Sequence, residues 1–211
     1  MSSRQSSSRS KAPKGEYIET DSGNKVSRKA NISGTANITL GGRTVIMADV
    51  NLRGDLHRLP SSTDEPSAKP SSTSTHAISI GKHTVISPRC ILHPPHRVHR
   101  GATQYYPLKI GDNVFVGPGC VVSAAAIASH VYVGEGSVLM PFCMIRENVR
   151  ILPGSVVPPN MVVPPGSVVG GRPARVLGEV GEGWGVNVAG AGGAEMWVEG
   201  GDLRELVRSV K

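Results

Sequence analysis

Aromatic side chains make up only 4% of the 211 residues. A core organised around large rings is therefore excluded, and the interior must be filled by Val, Ile, Leu and smaller residues. Cysteine occurs three times. An odd count, behind a first stretch (MSSRQSSSRSKAPKG) with no apolar segment of a secretory signal, argues for free thiols in a reducing compartment rather than a disulfide framework. No apolar run approaches the roughly 18 residues of a membrane span, so no direct membrane insertion is expected. Charge is sparse at 18%, with a formal net charge of +7. Arg4, Arg9, Lys11 and Lys14 stand at the start without an acidic neighbour. Residues 1–15 read as a disordered basic arm. No aromatic interleaves these charges and no nucleic-acid motif is present, so no nucleic-acid partner is expected.

What the chain has in excess is Gly (26) and Pro (16), recurring in phase with an aliphatic repeat. In ILPGSVVPPNMVVPPGSVVG, residues 151–170, an aliphatic returns at Ile151, Val157, Val163 and Val169. Upstream the same phase runs through Ile127, Val133, Leu139 and Ile145. A one-residue slip separates these from Ile110, Val116 and Val122. Earlier phases pass through Ile80 and Ile86, through Leu40, Ile46 and Leu52, and through Val26, Ile32 and Ile38. At about 100° per residue a helix would scatter such positions over all its faces, and a half-buried antiparallel strand needs period two. Period six fits a parallel solenoid with three short strands per turn, one hexad per face. The fold expected is all-β: a left-handed parallel β-helix of about seven coils, with a short C-terminal helix as cap.

The fourth residue after each repeat aliphatic is small or compact. Cys90, Cys120 and Cys143 all take this place and read as corner fillers of the core rather than reactive groups. The expected organisation is a β-helix over 16–175 with loop insertions at 57–76 and 92–107, followed by a Gly-rich segment and capping helix over 176–211. In that last segment Asp202 is a candidate cap, and Leu203, Leu206, Val207 and Val210 form one face. With Trp197, this helix is expected to cover a solenoid end.

Few residues point to chemistry. Arg53-Gly54-Asp55 has the form of an integrin-binding tripeptide, which a chain read as intracellular would not use. An Arg53–Asp55 ion pair or an intercoil contact at a coil corner is the expected role. The tripeptide also resembles gamma-class carbonic anhydrases, whose zinc is held by three histidines from two subunits. The resemblance places two of the ligand positions at Pro118 and Ser123 and the third at His93. Proline offers no lone pair and a serine hydroxyl is a poor zinc ligand, so no metal is expected. Pro94 and Pro95 forbid a helix that would gather His93, His96 and His99. His83 and His130 are the in-coil candidates for a general base of an acyltransferase, and neither sits in a deciding motif. No catalytic residue and no cofactor are expected.

Five stretches together resemble the dynactin subunit 5 family, the twenty-five-kilodalton pointed-end subunits. They are EYIETDSGNKVSR (16–28), RGDL (53–56), PLKIGDNVF (107–115), the slip through VVSAAAI (121–127) and VVPPNMVVPPGSVV (156–169). The resemblance implies a non-catalytic subunit of the dynactin pointed-end complex in the cytoplasm and cytoskeleton. Its partners would be dynactin subunit 6, the pointed-end actin-related protein, the sixty-two-kilodalton subunit and dynein cargo adaptors, including those of early endosomes. The 57–76 insertion, the basic arm and the Gly-rich stretch depart from the animal form and fit a fungal-type variant. The alternative is a homotrimeric hexapeptide-repeat enzyme, gamma-class-like or acyltransferase. Arg97, Arg100, Tyr105 and Tyr106 are of types enriched in interfaces and are the expected partner-binding residues.

Overall fold

The computed structural model describes residues 15–57, 76–99, 101–181, 184 and 203–210. The basic arm, nearly all of the 57–76 insertion and most of the Gly-rich stretch lie outside the described residues. Strands of two to six residues stack into three parallel sheets around one aliphatic column. The first face carries Lys25–Ser27, Val45–Ile46, Val85–Ile86, Phe115–Val116, Tyr132–Val133, Arg150–Ile151 and Ser167–Gly171. The second carries Asn31–Ser33, Asn51–Arg53, Ile91–Leu92, Val121–Val122, Val138–Leu139 and Val156–Val157. The third carries Ile38–Leu40, Ile78–Ile80, Leu108–Ile110, Ala126–Ile127, Met144–Ile145 and Val162–Val163. One strand from each face makes a coil, giving six full coils and the first strand of a seventh.

The hexad dictates this arrangement. In each strand the repeat aliphatic points inward, and it pairs in register with its counterpart one coil away: Ile46 with Ile86, Leu52 with Leu92, Ile145 with Val163. Ile46, Leu52, Ile86, Leu92, Leu139, Ile151, Val157, Val163 and Val169 are all 0% exposed. The slip between Val122 and Ile127 is absorbed at a corner, because Ile110 still pairs with Ile127.

Corners follow a rule of their own. The third residue after the repeat aliphatic adopts positive φ: Arg43, Asp49, His83, Arg89, Asn113, His130, Phe142, Asn148 and Asn160 lie between 53° and 63°. Glycine fills the same place at Gly119, Gly136, Gly154 and Gly166. The next residue turns inside, where a hydroxyl or thiol can donate to the backbone of the following coil. Thr44 Oγ1 donates to the Gly81 carbonyl (2.7 Å), Thr84 Oγ1 to Gly111 (2.9 Å), and Cys90 and Cys120 Sγ to Gly117 and Gly134 (both 3.1 Å). All three cysteines are buried and unbridged.

Antiparallel strands close both edges of the first face: Tyr17–Glu19 against Lys25–Ser27, and Ala174–Glu179 against Ser167–Gly171. The C-terminal helix forms over Arg204–Ser209, with Leu203 rather than a side-chain donor or acceptor at its N-cap. Asp202 and Trp197 lie outside the described residues, as does the Glu205 side chain. The helix does not cover a solenoid end. Leu203 and Val207 pack on Val45 and Val85, with Tyr17, Met47, Phe115, Leu206 and Val210 around them. Val45 and Val85 precede the inward Ile46 and Ile86, so strand alternation turns them outward and leaves an apolar patch on the flank that needs cover. Lys25 Nζ donates to the Val207 carbonyl (3.0 Å) and to that of Val210, holding the last turn.

Candidate functional site

Every irregularity in the coils falls at the corner between the second and third faces. In the first coil the 3-10 turn Thr35–Asn37 lies there. In the second, the chain leaves after Arg53 and returns at His76. In the third, residues 93–107 leave it, and in the fourth the corner is one residue short.

The insertion at 92–107 carries paired strands. His96–His99 and Ala102–Tyr105 pair as an antiparallel hairpin, His96 opposite Tyr105 and His99 opposite Ala102. Pro94 and Pro95 are buried at its base, where the Tyr106 N–H donates to the Pro95 carbonyl (2.8 Å). The hairpin follows the same corner toward the C-terminal coils. The Arg97 guanidinium lies over the Phe142 ring at 4.3 Å from its centroid, and Arg97 Nη2 donates to Asn160 Oδ1 (3.1 Å). Tyr106 meets the same Phe142 edge-on at 5.3 Å. Tyr105 stacks at a tilt on His96, 5.7 Å between centroids, and lies within electrostatic reach of Arg53. Phe142 and Asn160 are the positive-φ corner residues of the fifth and sixth coils. In the fourth coil the short corner is made by Ser123, Ala124 and Ala125, of which Ser123 and Ala124 are buried.

Of the four expected partner-binding residues, Arg97, Tyr105 and Tyr106 thus come together on this hairpin, and two of them hold it to the solenoid. Arg100 lies outside the described residues. Toward the hairpin tip Val98 is 71% exposed. The described hairpin bears Arg97 and His96 and no acid, so its face is basic.

Arg53 and Asp55 form a bidentate ion pair at this corner: Nε to Oδ1 and Nη2 to Oδ2, both 2.8 Å. The hydrogen bond from Arg53 holds the Asp55 carboxyl below its ordinary value. Between them Gly54 is required by close approach, since a Cβ there would stand 2.5 Å from Ile38 Cγ1 and 2.6 Å from the Gly34 carbonyl oxygen.

Chemistry-bearing groups elsewhere are dispersed. His83 and His130 occupy positive-φ corner positions between the third and first faces, with φ of 54° and 59°. The His130 carbonyl accepts from Trp184 Nε1 at 3.4 Å. His93 and Ser123, two of the three positions marked by the gamma-class resemblance, lie together, Nδ1 to Oγ at 3.3 Å. Pro118 adds no donor, and among the described residues no three His, Cys, Asp or Glu side chains gather to hold a metal. The donor set present does not fit the zinc of that class, and no step is derived through one.

Sequence reasoning missed the positive-φ rule, although Asn113, Asn148, Asn160 and the glycines of the same register signal it. It also missed Phe142 and Asn160 as the hairpin's anchors, which no local signal marks.

Stacked triangular coils of hexads with one inward aliphatic per strand define a hexapeptide-repeat left-handed β-helix. Solved structures share it, two of them as follows. A hexapeptide transferase family protein from Anaplasma phagocytophilum covers 88% of this chain and 87% of its own, with TM-score 0.54 and 21% identity. The N-acyltransferase AntD from Bacillus cereus covers 76% and 83%, with TM-score 0.58 and 15% identity. At such identities the likeness is one of fold. Within that class, the chain matches the family described as Dynactin subunit 5 over residues 10–63 and 72–187, and it belongs to that family. Dynactin subunit 5 of Dictyostelium discoideum is 38% identical over 116 residues, 55% of this chain and 49% of that protein. Gamma carbonic anhydrase 2, mitochondrial, of Arabidopsis thaliana is 31% identical over 100 residues, 47% of this chain and 35% of that protein. The chain thus spans about half or less of the length of the curated relatives it matches.

Proposed function

We propose that this protein is a non-catalytic structural subunit of the dynactin pointed-end complex, serving dynein–dynactin cargo and adaptor engagement in microtubule-based transport. The observation that carries the reading is the family match, which extends over nearly all of the coils. The dispersed chemistry agrees with it: histidines spent at corners, thiols buried in the core, and a His93–Ser123 pair with no third donor. Its partners are then the other dynactin subunits, among them dynactin subunit 6, the pointed-end actin-related protein and the sixty-two-kilodalton subunit. Its place is the cytoplasm, on the cytoskeleton. No helix among the described residues is long and apolar enough to cross a membrane.

The basic hairpin is the surface for cargo adaptors, with Arg97, Arg100, Tyr105 and Tyr106 as contact residues. Arg97 and Tyr106 also fix its direction, so their replacement acts on both contact and placement. Purification of the tagged protein from its own cells, with the bound proteins identified by mass spectrometry, tests the reading. Recovery of the dynactin filament and its pointed-end subunits is expected. Recovery of a homotrimer alone, with near-stoichiometric zinc or affinity for an acyl donor, overturns it in favour of an enzyme.

A further inference from the structure

On the first face the outward residues Val45 and Val85 stand in neighbouring coils, and under the C-terminal helix both are 0% exposed. That helix runs across the coils rather than along a strand: it packs on Val45 and Val85, while Lys25 of the first coil holds its last carbonyls. The fit is one of spacing. Neighbouring coils lie about 4.8 Å apart, and three to four helical residues rise about 4.5–6 Å. Leu203 and Val207, four residues apart, thus match two successive coils.

The second face carries a longer run without such a helix. Ile91, Val121, Val138 and Val156 stand in register in four successive coils. Each precedes an inward aliphatic, so each points outward. Ile91 is 41% exposed and the three valines are half-buried. A charged edge runs beside them. The corner between the first and second faces forms a shallow groove walled by Arg89, Glu135 and Arg172. Its floor lies open, since a Cβ at Gly119 or Gly136 would meet nothing within 4 Å. All three charged residues are exposed, and among the described residues none of them is ion-paired. Arg172 is fixed in place, its Nε donating to the Gly154 carbonyl (2.6 Å). Toward the C-terminal coils the order of charge is positive, negative, positive.

We propose that the second face and this edge are the docking surface for an acid-flanked amphipathic helix of another subunit of the complex, laid across the coils as the C-terminal helix is laid on the first face. An extended segment in the groove would meet the charges and leave the aliphatics bare, whereas a helix meets both. Aliphatics at i, i+3, i+7 and i+10 fall on four coils about 4.8 Å apart. Arg89 and Glu135 are two coils apart, so an acid and a base about seven residues on face them along one flank, with a second acid for Arg172 about four to seven residues further. The chain's own remaining segments do not supply this helix. Residues 182–202 are glycine-rich and hold no Lys or Arg to meet Glu135, and residues 58–75 are broken by Pro60, Pro66 and Pro70. A second copy would set this arginine edge against itself or against the basic hairpin, like charge on like. The inference rests on the reading of the chain as a subunit of a complex, and adds a surface on the opposite side of the second face from the adaptor hairpin.

Site-directed photo-crosslinking in the native assembly tests it. The three native thiols are buried, so Pro153→Cys in the groove wall, or Lys109→Cys outward on the third face, can carry a benzophenone maleimide on the full-length chain. Position 153 is expected to capture a segment of another dynactin subunit with aliphatics three to four residues apart and acids along one flank, and position 109 is not. Arg89→Glu with Arg172→Glu should cut that capture at least about tenfold, and changing the captured acids to Lys should restore it. Val138→Asp should cut it likewise, while Val162→Asp on the outer third face leaves it intact. If Val138→Asp fails to fold, the exposed arginine pair decides. Equal capture at 153 and 109, or capture indifferent to the arginine reversal, overturns the docking surface. Capture of residues 182–202 of the same chain, of a second copy, or of a segment without helical spacing overturns the occupant named here. Recovery of the other dynactin subunits with no capture at 153 overturns the docking alone, and recovery of the chain without any of them overturns the reading beneath.

Discussion

Phe142 holds two unlike roles at once, and replacing it separates them. Its backbone sits at φ 63° at a corner, a conformation that costs a residue with a Cβ about 1–2 kcal/mol. Its ring takes the Arg97 guanidinium at 4.3 Å and the Tyr106 ring at 5.3 Å. Contacts of these kinds contribute about 0.5–1 kcal/mol for the cation over the ring and about 0.5–1.5 kcal/mol for the aromatic pair. Phe142→Ala keeps the strained backbone and loses both contacts, so hairpin docking weakens by about 1–2.5 kcal/mol. Local opening then becomes more frequent, and amide exchange across residues 96–105 speeds up by about 5- to 70-fold. Phe142→Gly loses the same contacts, so the hairpin loosens equally. It also relieves the strain, less the roughly 0.5–1 kcal/mol that a flexible glycine costs on folding. The Gly variant should therefore melt above the Ala variant, by about 1–4 °C for a chain of this size. Exchange and melting temperature, measured on both variants side by side, read the two effects independently. Unchanged exchange over 96–105 in both variants would refute Phe142 as the hairpin's anchor. An Ala variant that melts higher than the Gly variant would refute the backbone argument.

Gly134→Ala places a Cβ 2.5 Å from the Pro153 nitrogen and 2.8 Å from the Leu152 carbonyl carbon, so the fifth and sixth coils must part; a loss of about 1–3 kcal/mol or more is expected in urea unfolding. Burial pushes the Cys143 thiol up to about 12, from 9.0. Its neutral form is therefore favoured in the fold, and the stability it brings is complete below pH 9 and drains away as pH rises toward 12; this alkaline slope, up to about 1.4 kcal/mol per pH unit, should flatten in Cys143→Ser. At pH 8 Cys120, pushed up by the neighbouring Cys90 thiol and by burial, and Cys143 should both resist a thiol reagent in the native protein and react on unfolding. Lys25→Met removes the donor to the Val207 and Val210 carbonyls and should free the C-terminal helix, seen as faster exchange over 203–210, with a cost of about 1 kcal/mol or less.

The coils were legible because one rule repeats. An inward aliphatic every sixth residue tolerates little else in a column only one triangle wide, and so Ile46, Leu52 and Val157 announce themselves. The compact residue four places on was legible for the same reason, and it located all three cysteines. The hairpin was not legible. In HRVHRGATQYY nothing alternates between apolar and polar, because the hairpin buries little on either side and is held by Phe142 and Asn160, far along the chain. The Arg53–Asp55 pair was legible because its partners are two residues apart; the His93–Ser123 contact was not, since a gap of thirty residues becomes a neighbour only after the intervening coil closes. For the helix, the spacing of Leu203 and Val207 told which side is apolar. What that side covers depended on Val45 and Val85, two outward valines that look like any others in the repeat.

That irregularity concentrates at one corner has a physical reason. The first face carries the strap helix outside and an antiparallel strand at each edge, so its two corners must deliver strands in fixed register. A loop leaving either of them would lie across the helix or the closing strands. The corner between the second and third faces borders neither, and there the chain can leave and return at the cost of loop closure alone, which grows only slowly with length. Once one coil sends out a hairpin, the coils beneath become its bed, and Phe142 and Asn160 receive it. A surface built this way varies without disturbing the column. Substitutions at Arg97 and Tyr106 should therefore loosen the hairpin without disturbing the column, seen as faster amide exchange over 96–105 with exchange in the coil strands unchanged.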